Sequence, residues 1–130
     1  MKTDPNARYA KTHEWVKLDA SRDEAVCGIS DHAQSQLSDL VYVELPAVGK
    51  SFKQGQSFGV VESVKAASDV YMPMDGTITA ANEALPDDPA QINADAFAAW
   101  LIKFKPANPA QFDALMDAKA YEEFVAAEAH

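Results

Sequence analysis

Two stretches, VELPAVG at residues 43–49 and VYMPMDG at 70–76, share the pattern V-x-(L/M)-P-x-x-G at an offset of 27 residues. Proline has no N–H to give a strand ladder, and glycine tolerates positive φ. Each stretch therefore describes a strand that ends at an apolar residue plus Pro and then reverses through Gly. Two such corners confine the chain to short strands and suggest two equivalent halves about a rough two-fold axis. Apolar positions elsewhere fit the same plan. THEWVKLD and EAVCGIS flank the polar ASRD as a hairpin, and LVYVEL, SFGVVESV, SDVYM and GTITAAN form a run of strands broken by Pro46, Gly49, Gly55, Pro73 and Gly76. AWLIKF supplies a last strand after the loop-rich NEALPDDPAQINADAF.

Helices are expected at the edges of this sheet system. Ser30 is placed to cap a short helix ending near Leu40, with Ala33, Leu37 and Leu40 on one face. Asn108 as N-cap, Pro109 at the first helical position and Gln111 at the third open a C-terminal helix over about 109–126, with Phe112, Leu115, Met116 and Phe124 on its apolar face. The 130 residues suit a single domain with its core over about 9–106.

Charge and composition exclude several functions. With 11 Lys and Arg against 20 Asp and Glu, the net charge of -9 repels phosphate backbones and anionic lipid, so neither nucleic acid nor membrane is an expected partner. The single cysteine, Cys27, rules out an internal disulfide and reads as a small buried hydrophobe. His13, His32 and His130 are far apart in sequence and none has metal-ligand spacing, so no metal site is expected. No phosphate-binding glycine loop, nucleophile elbow or Cys/His pair is present, and no catalytic residue is assigned. The N-terminus lacks the apolar run of a signal peptide and carries an early Asp4. A cytoplasmic location of bacterial type is the expectation. No large apolar surface stripe is evident, so the expected state is a monomer.

One residue stands apart from this ordinary picture. Lys65 lies between GVVESV and SDVYM, in a turn with Ala66 and Ala67, so its ammonium is held out on a rigid tip among small neighbours. Exposed turn lysines are ordinarily solvated surface. An alternative is an attachment point acylated by an enzyme that recognises the shaped hairpin, giving a tether with a high local concentration at a partner's site. Spacing leaves both readings open.

The segment ESVKAASDVYMP resembles the lipoyl-attachment segment of the H proteins of the glycine cleavage system. THEWV, GISDHAQSQLSDLVYVELPAVG, FGVVESVKAASD, NEAL and WLIKFKP resemble that family in order and spacing, from Tyr9 to the C-terminal helix. Biotin carriers usually flank their lysine with methionines, whereas Val64 and Ala66 stand here. The resemblance implies a mainly β fold, a barrel-sandwich hybrid of two small antiparallel sheets with peripheral helices. It implies covalent lipoate as N6-lipoyllysine at Lys65, on a recognition hairpin of Glu62, Ser63, Val64, Ala66, Ala67 and Asp69. It also implies a non-catalytic shuttle between a pyridoxal-phosphate glycine decarboxylase (P protein), a tetrahydrofolate-dependent aminomethyltransferase (T protein) and dihydrolipoamide dehydrogenase (L protein). A lipoate ligase or a lipoyl or octanoyl transferase would load it. A lone cysteine agrees, because the redox sulfurs must then come from the cofactor.

The resemblance further implies shelter for the loaded arm at Thr12, Glu14 and Asp69, where a carboxylate would hydrogen-bond a protonated aminomethyl amine. Two other readings stand beside the shuttle: a relay or store that donates lipoyl groups to other carriers, and an unmodified binding module. The chain departs from the family at NADAFAAWLIK, where Ala96, Ala98 and Ala99 replace the expected Pro and Gly. Alanine disfavours positive φ, so one helical turn through Asp95 to Ala99 is the expected path there.

Overall fold

The computed structural model describes residues 1–128. Thirteen elements follow in order: β1 (Arg8–Tyr9), β2 (Glu14–Leu18), β3 (Ala25–Ile29), α1 (Asp31–Leu37), β4 (Leu40–Glu44), β5 (Ser51–Phe52), β6 (Ser57–Ser63), β7 (Ala67–Tyr71), β8 (Gly76–Ala81), α2 (Ala90–Ala94), β9 (Ile102–Pro106), α3 (Ala110–Ala114) and α4 (Ala118–Glu128). The strands form a six-stranded sheet, β1-β2-β3-β9-β8-β5, and a three-stranded sheet, β4-β6-β7. Every pairing is antiparallel, and the sheets stay open rather than closing into a barrel. The mainly β, two-sheet architecture is as the sequence implied.

The repeated corners do equivalent work. Each carries the chain from the small sheet to the large one, after β4 and after β7, and the strands that follow pair with each other as Ser51↔Thr77 and Phe52↔Gly76. Their glycines differ in purpose. Gly49 has φ +93°, the left-handed conformation expected of it, and its N–H donates to the Ile78 carbonyl at 2.8 Å. Gly76 is needed for space instead: a Cβ there would sit 2.4 Å from Phe104 Cδ2 and 2.9 Å from the Lys105 carbonyl oxygen. Gly76→Ala is expected to cost about 1–3 kcal/mol through overpacking, lowering the urea midpoint without changing the slope.

The sheets enclose a core that includes Cys27, Val43, Phe58, Met72, Ile78 and Phe104. A second cluster of Ala7, Tyr9, Trp15 and Tyr121 seats α4 on the large sheet. Tyr9 and Tyr121 stack with centroids 4.4 Å apart, and Trp15 lies over the bare backbone of Gly28, its partner across β2 and β3.

Three helical expectations need adjustment. Ser30 does cap α1, its Oγ accepting from Ala33 N at 3.1 Å, but the helix stops at Leu37 because Ser38 turns to φ 69°. Leu40 reaches the core as the first residue of β4. The C-terminal helix over 109–126 is two helices. Pro109 occupies the N-cap position of α3, and Gln111, rather than reaching back, accepts at Oε1 from Asp75 N at 2.8 Å on the second corner. Leu115 then goes extended, so that Met116 and Tyr9 can exchange backbone hydrogen bonds of 2.8 and 3.1 Å; Asp117 Oδ1 caps α4 by accepting from Ala120 N at 2.8 Å.

The altered loop follows the expected path. Ala99 N donates to Asp95 O at 3.0 Å, closing one turn, and Asp95 Oδ1 accepts from Phe97 and Ala98 N. Ala96 and Ala99 are buried there, and the Trp15 indole donates to the Ala96 carbonyl at 3.1 Å. The short strands β1 and β5 and helix α2 are additions that the sequence reading lacked.

Candidate functional site

Hairpin β6–β7 ends at the pair Glu62↔Ala67, so Ala67 begins a strand and the turn is Ser63–Ala66. Ser63 organises it. Its N–H donates to Ala66 O at 2.8 Å, and its Oγ accepts from Lys65 N and Ala66 N, both at 3.1 Å. Val64 N donates to Asp39 O at 3.1 Å, tying the tip to the segment before β4. The tip is thus fixed at its backbone while Val64, Lys65, Ala66 and Ala67 are exposed. Glu62 and Ser63 are half-buried beneath them.

The Lys65 ammonium donates to the Gln36 carbonyl at 3.1 Å, one of the carbonyls that the end of α1 leaves without an intrahelical partner. Among the described residues no carboxylate lies within salt-bridge distance of it. Gln36 was not singled out from sequence, since nothing in its spacing relates it to a turn 29 residues later. The site offers one reachable primary amine on a rigid base, held by a single bond that it can exchange for water. An acyl group fits such an amine without displacing any buried partner.

Thr12 and Glu14 come together at the far end of β7. Glu14 is 2% exposed; its Oε2 accepts from Tyr71 N at 3.2 Å and its Oε1 accepts from the Thr12 hydroxyl. Burial pushes the carboxyl up to about 7, against the opposing pull of those two donors. Asp69 stands apart from this pair, exposed on β7 and accepting from Ser57 Oγ at 3.1 Å.

Two antiparallel sheets, with a hairpin that holds out one exposed lysine at its tip and a buried carboxyl at the far end of its second strand, define a presenting module. Comparisons with known proteins agree. The family described as Glycine cleavage H-protein matches residues 7–128. Glycine cleavage system H protein 2 of Pseudomonas aeruginosa is 53% identical over 121 residues, covering 93% of each chain. The glycine cleavage system H protein of Thiobacillus denitrificans is 49% identical over 130 residues, covering all of both. The crystal structure of a glycine cleavage system H protein from Mycobacterium marinum superposes with a TM-score of 0.84 at 34% identity, covering 98% of this chain and 100% of that one. The chain belongs to the glycine cleavage H-protein family, whose members are lipoate carriers within a multienzyme system.

Proposed function

We propose that the chain carries lipoate as an amide on Lys65 and moves the aminomethyl group of glycine from a glycine decarboxylase to an aminomethyltransferase, with dihydrolipoamide dehydrogenase resetting the arm. The observation that supports this most is the exposed Lys65 amine on its backbone-fixed tip, in a chain of this family. When bound, lipoate would supply a disulfide that accepts the aminomethyl group, yields it to folate, and is restored from its dithiol. The chain itself performs no bond-making step. It functions as one carrier unit over residues 1–130, and the cytoplasm is the proposed compartment.

The residues around the hairpin divide the remaining work. Glu62, Ser63, Val64, Ala66, Ala67 and Asp69 present the shape that a lipoate ligase or a lipoyl or octanoyl transferase reads. An extended lysyl-lipoyl arm spans roughly 14 Å at bond lengths of about 1.5 Å. Laid back along β7 it reaches Asp69, at roughly 13 Å from Lys65 by strand rise, and ends roughly 6 Å short of Thr12 and Glu14, level with Tyr71 at roughly 20 Å, a gap that an aminomethyl group of about 3 Å and a hydrogen bond of about 3 Å must span. Asp69 is therefore the carboxylate of β7 itself that lies within the arm's length. Glu14 is the stronger partner, because its ionisation in a buried setting is repaid when a cation arrives.

Reconstitution tests this reading. Fully lipoylated chain mixed with the decarboxylase and aminomethyltransferase should support exchange between glycine and carbon dioxide, and unlipoylated chain should not. Full lipoylation without exchange would overturn the shuttle and favour a lipoyl donor to other carriers. Absence of lipoylation in the native source would favour an unmodified binding module.

A further inference from the structure

The fold brings His13 and His32 side by side, with ring centroids 5.0 Å apart, although they are widely separated in sequence. His130 lies outside the described residues. Glu128, the last residue of α4, completes a group with them in which one ligand atom from each residue lies within 4.8 Å of the others. From these three side chains we infer a surface site for a zinc-class divalent cation, held by two imidazoles and one carboxylate with a further position open to solvent.

Geometry supports three-fold ligation. Zinc bonds to imidazole and carboxylate run about 2.0–2.2 Å, so ligands sharing one tetrahedral ion lie roughly 3.4 Å apart. The His13 Nε2 to Glu128 Oε1 distance is 3.0 Å, and the widest separation in the group, within 4.8 Å, closes to the tetrahedral spacing by a shift of roughly 1.4 Å at most. Glu128 is free to make that adjustment, being exposed at the end of its helix.

The supporting shell is also in place. His13 Nδ1 lies 2.7 Å from the Tyr121 hydroxyl, which lies 2.7 Å from Ser30 Oγ. With Nδ1–H donating to Tyr121 and Tyr121 donating to Ser30, the Nε2 lone pair faces Glu128. Metal-bound histidines use this arrangement: an oxygen on the second ring nitrogen fixes the tautomer and the ring plane. A cation then takes the place that a proton must otherwise fill between Nε2 and the carboxylate.

Backbone strain points the same way. His13 has φ 76°, a left-handed conformation that favours Gly or Asn, and it is held there by Ser30 N donating to its carbonyl at 2.9 Å. So placed, the His13 ring lies against His32 and Glu128. His32 and Glu128 line a cavity of about 320 Å³ with Gln36 and Val125, which leaves room for a bound water at the open position. Two imidazoles select zinc, copper or nickel over magnesium or calcium.

The test is titration of the chelator-stripped, unlipoylated full chain with zinc chloride in a non-coordinating buffer, followed by calorimetry, with cobalt(II) absorption as a second readout. One equivalent should bind saturably, with a four-coordinate cobalt band in the visible. His32→Ala and Glu128→Gln, both at half-buried or exposed positions, should each weaken binding at least tenfold. Tyr121→Phe should weaken it about tenfold through ring orientation alone. His130→Ala should leave it unchanged. No saturable binding, equal binding by His32→Ala, or loss of binding in His130→Ala would overturn the site.

Discussion

Lys65→Arg is expected to give a folded chain that takes up no lipoate and supports no exchange between glycine and carbon dioxide. Loading requires the neutral lysine amine to attack an activated lipoyl carboxyl, forming an amide and releasing the activating group. A guanidinium stays protonated at any working pH and has no such lone pair to offer. The substitution still preserves the local structure. Ser63 Oγ accepts from the backbone of residues 65 and 66, and Val64 N is held by Asp39, so the turn does not depend on the side chain. Arginine keeps the charge and can reach the Gln36 carbonyl that the lysine occupies. Loss of loading therefore reports on acylation and not on folding. Intact mass after expression with lipoate and a ligase should show the lipoyl increment on the natural chain and none on the variant, while unfolding free energies from urea titration agree within about 0.5 kcal/mol, as for other surface substitutions. An adduct persisting on Lys65→Arg would place the modification elsewhere and remove the shuttle reading.

The sequence displays what depends on local chemistry. A strand closed by Pro and Gly, a serine three residues before an amide that needs a cap, and a lysine among alanines all carry their structural meaning within a few residues. The corners, the start of α1, the Lys65 turn and the Asp95–Ala99 turn were legible for that reason. Failures came where a distant partner decides. The C-terminal helix breaks at Leu115, where Met116 exchanges two backbone hydrogen bonds with Tyr9, more than a hundred residues away. Gln111 has the identity for a capping box, but Asp75 on the second corner takes its side-chain oxygen. Gly76 looked like a conformational glycine, and Phe104 made it a spatial one. The same limit applies to the site. Thr12 and Glu14 share one strand entry and could be paired from sequence through family likeness, whereas the Gln36 contact and the meeting of His13 with His32 exist only because α1 starts beside the loop before β2 and ends beside the hairpin tip.

Glu14→Gln should flatten a fall in stability between pH 5 and 8 that the natural chain shows. Burial pushes the folded carboxyl up to about 7, against an ordinary value of 4.5 when unfolded. The sign follows from proton counting. Below about 4.5 both states hold the proton and the full stability is present; as pH rises from there through 7, the unfolded chain releases it first and is favoured; above 7 the loss is complete. At 1.36 kcal/mol per unit, the difference amounts to something on the order of 3 kcal/mol. Two other kinds of group, carboxylates held low and a buried histidine, frame the window. Asp4 and Asp31, held low mainly by the Lys17 side chain and by the Lys2 backbone N–H respectively, lose their contributions only as pH falls below their ordinary range. His13, lowered by burial, works in the opposite direction, its stability loss coming as pH falls through the unfolded value of 6.5. The difference between variant and natural chain cancels both. Glutamine can still accept from Tyr71 N and donate to the Thr12 hydroxyl, so it keeps the contacts while removing the charge. Urea unfolding at several pH values should find the two chains close at pH 5 and the variant more stable at pH 8. In the exchange assay the order should reverse, with the fully lipoylated variant slower, since the arm's cation then loses its buried partner. A variant that tracks the natural chain across the whole pH range would show that Glu14 ionises without penalty, and the reservoir of binding energy assigned to it would not exist.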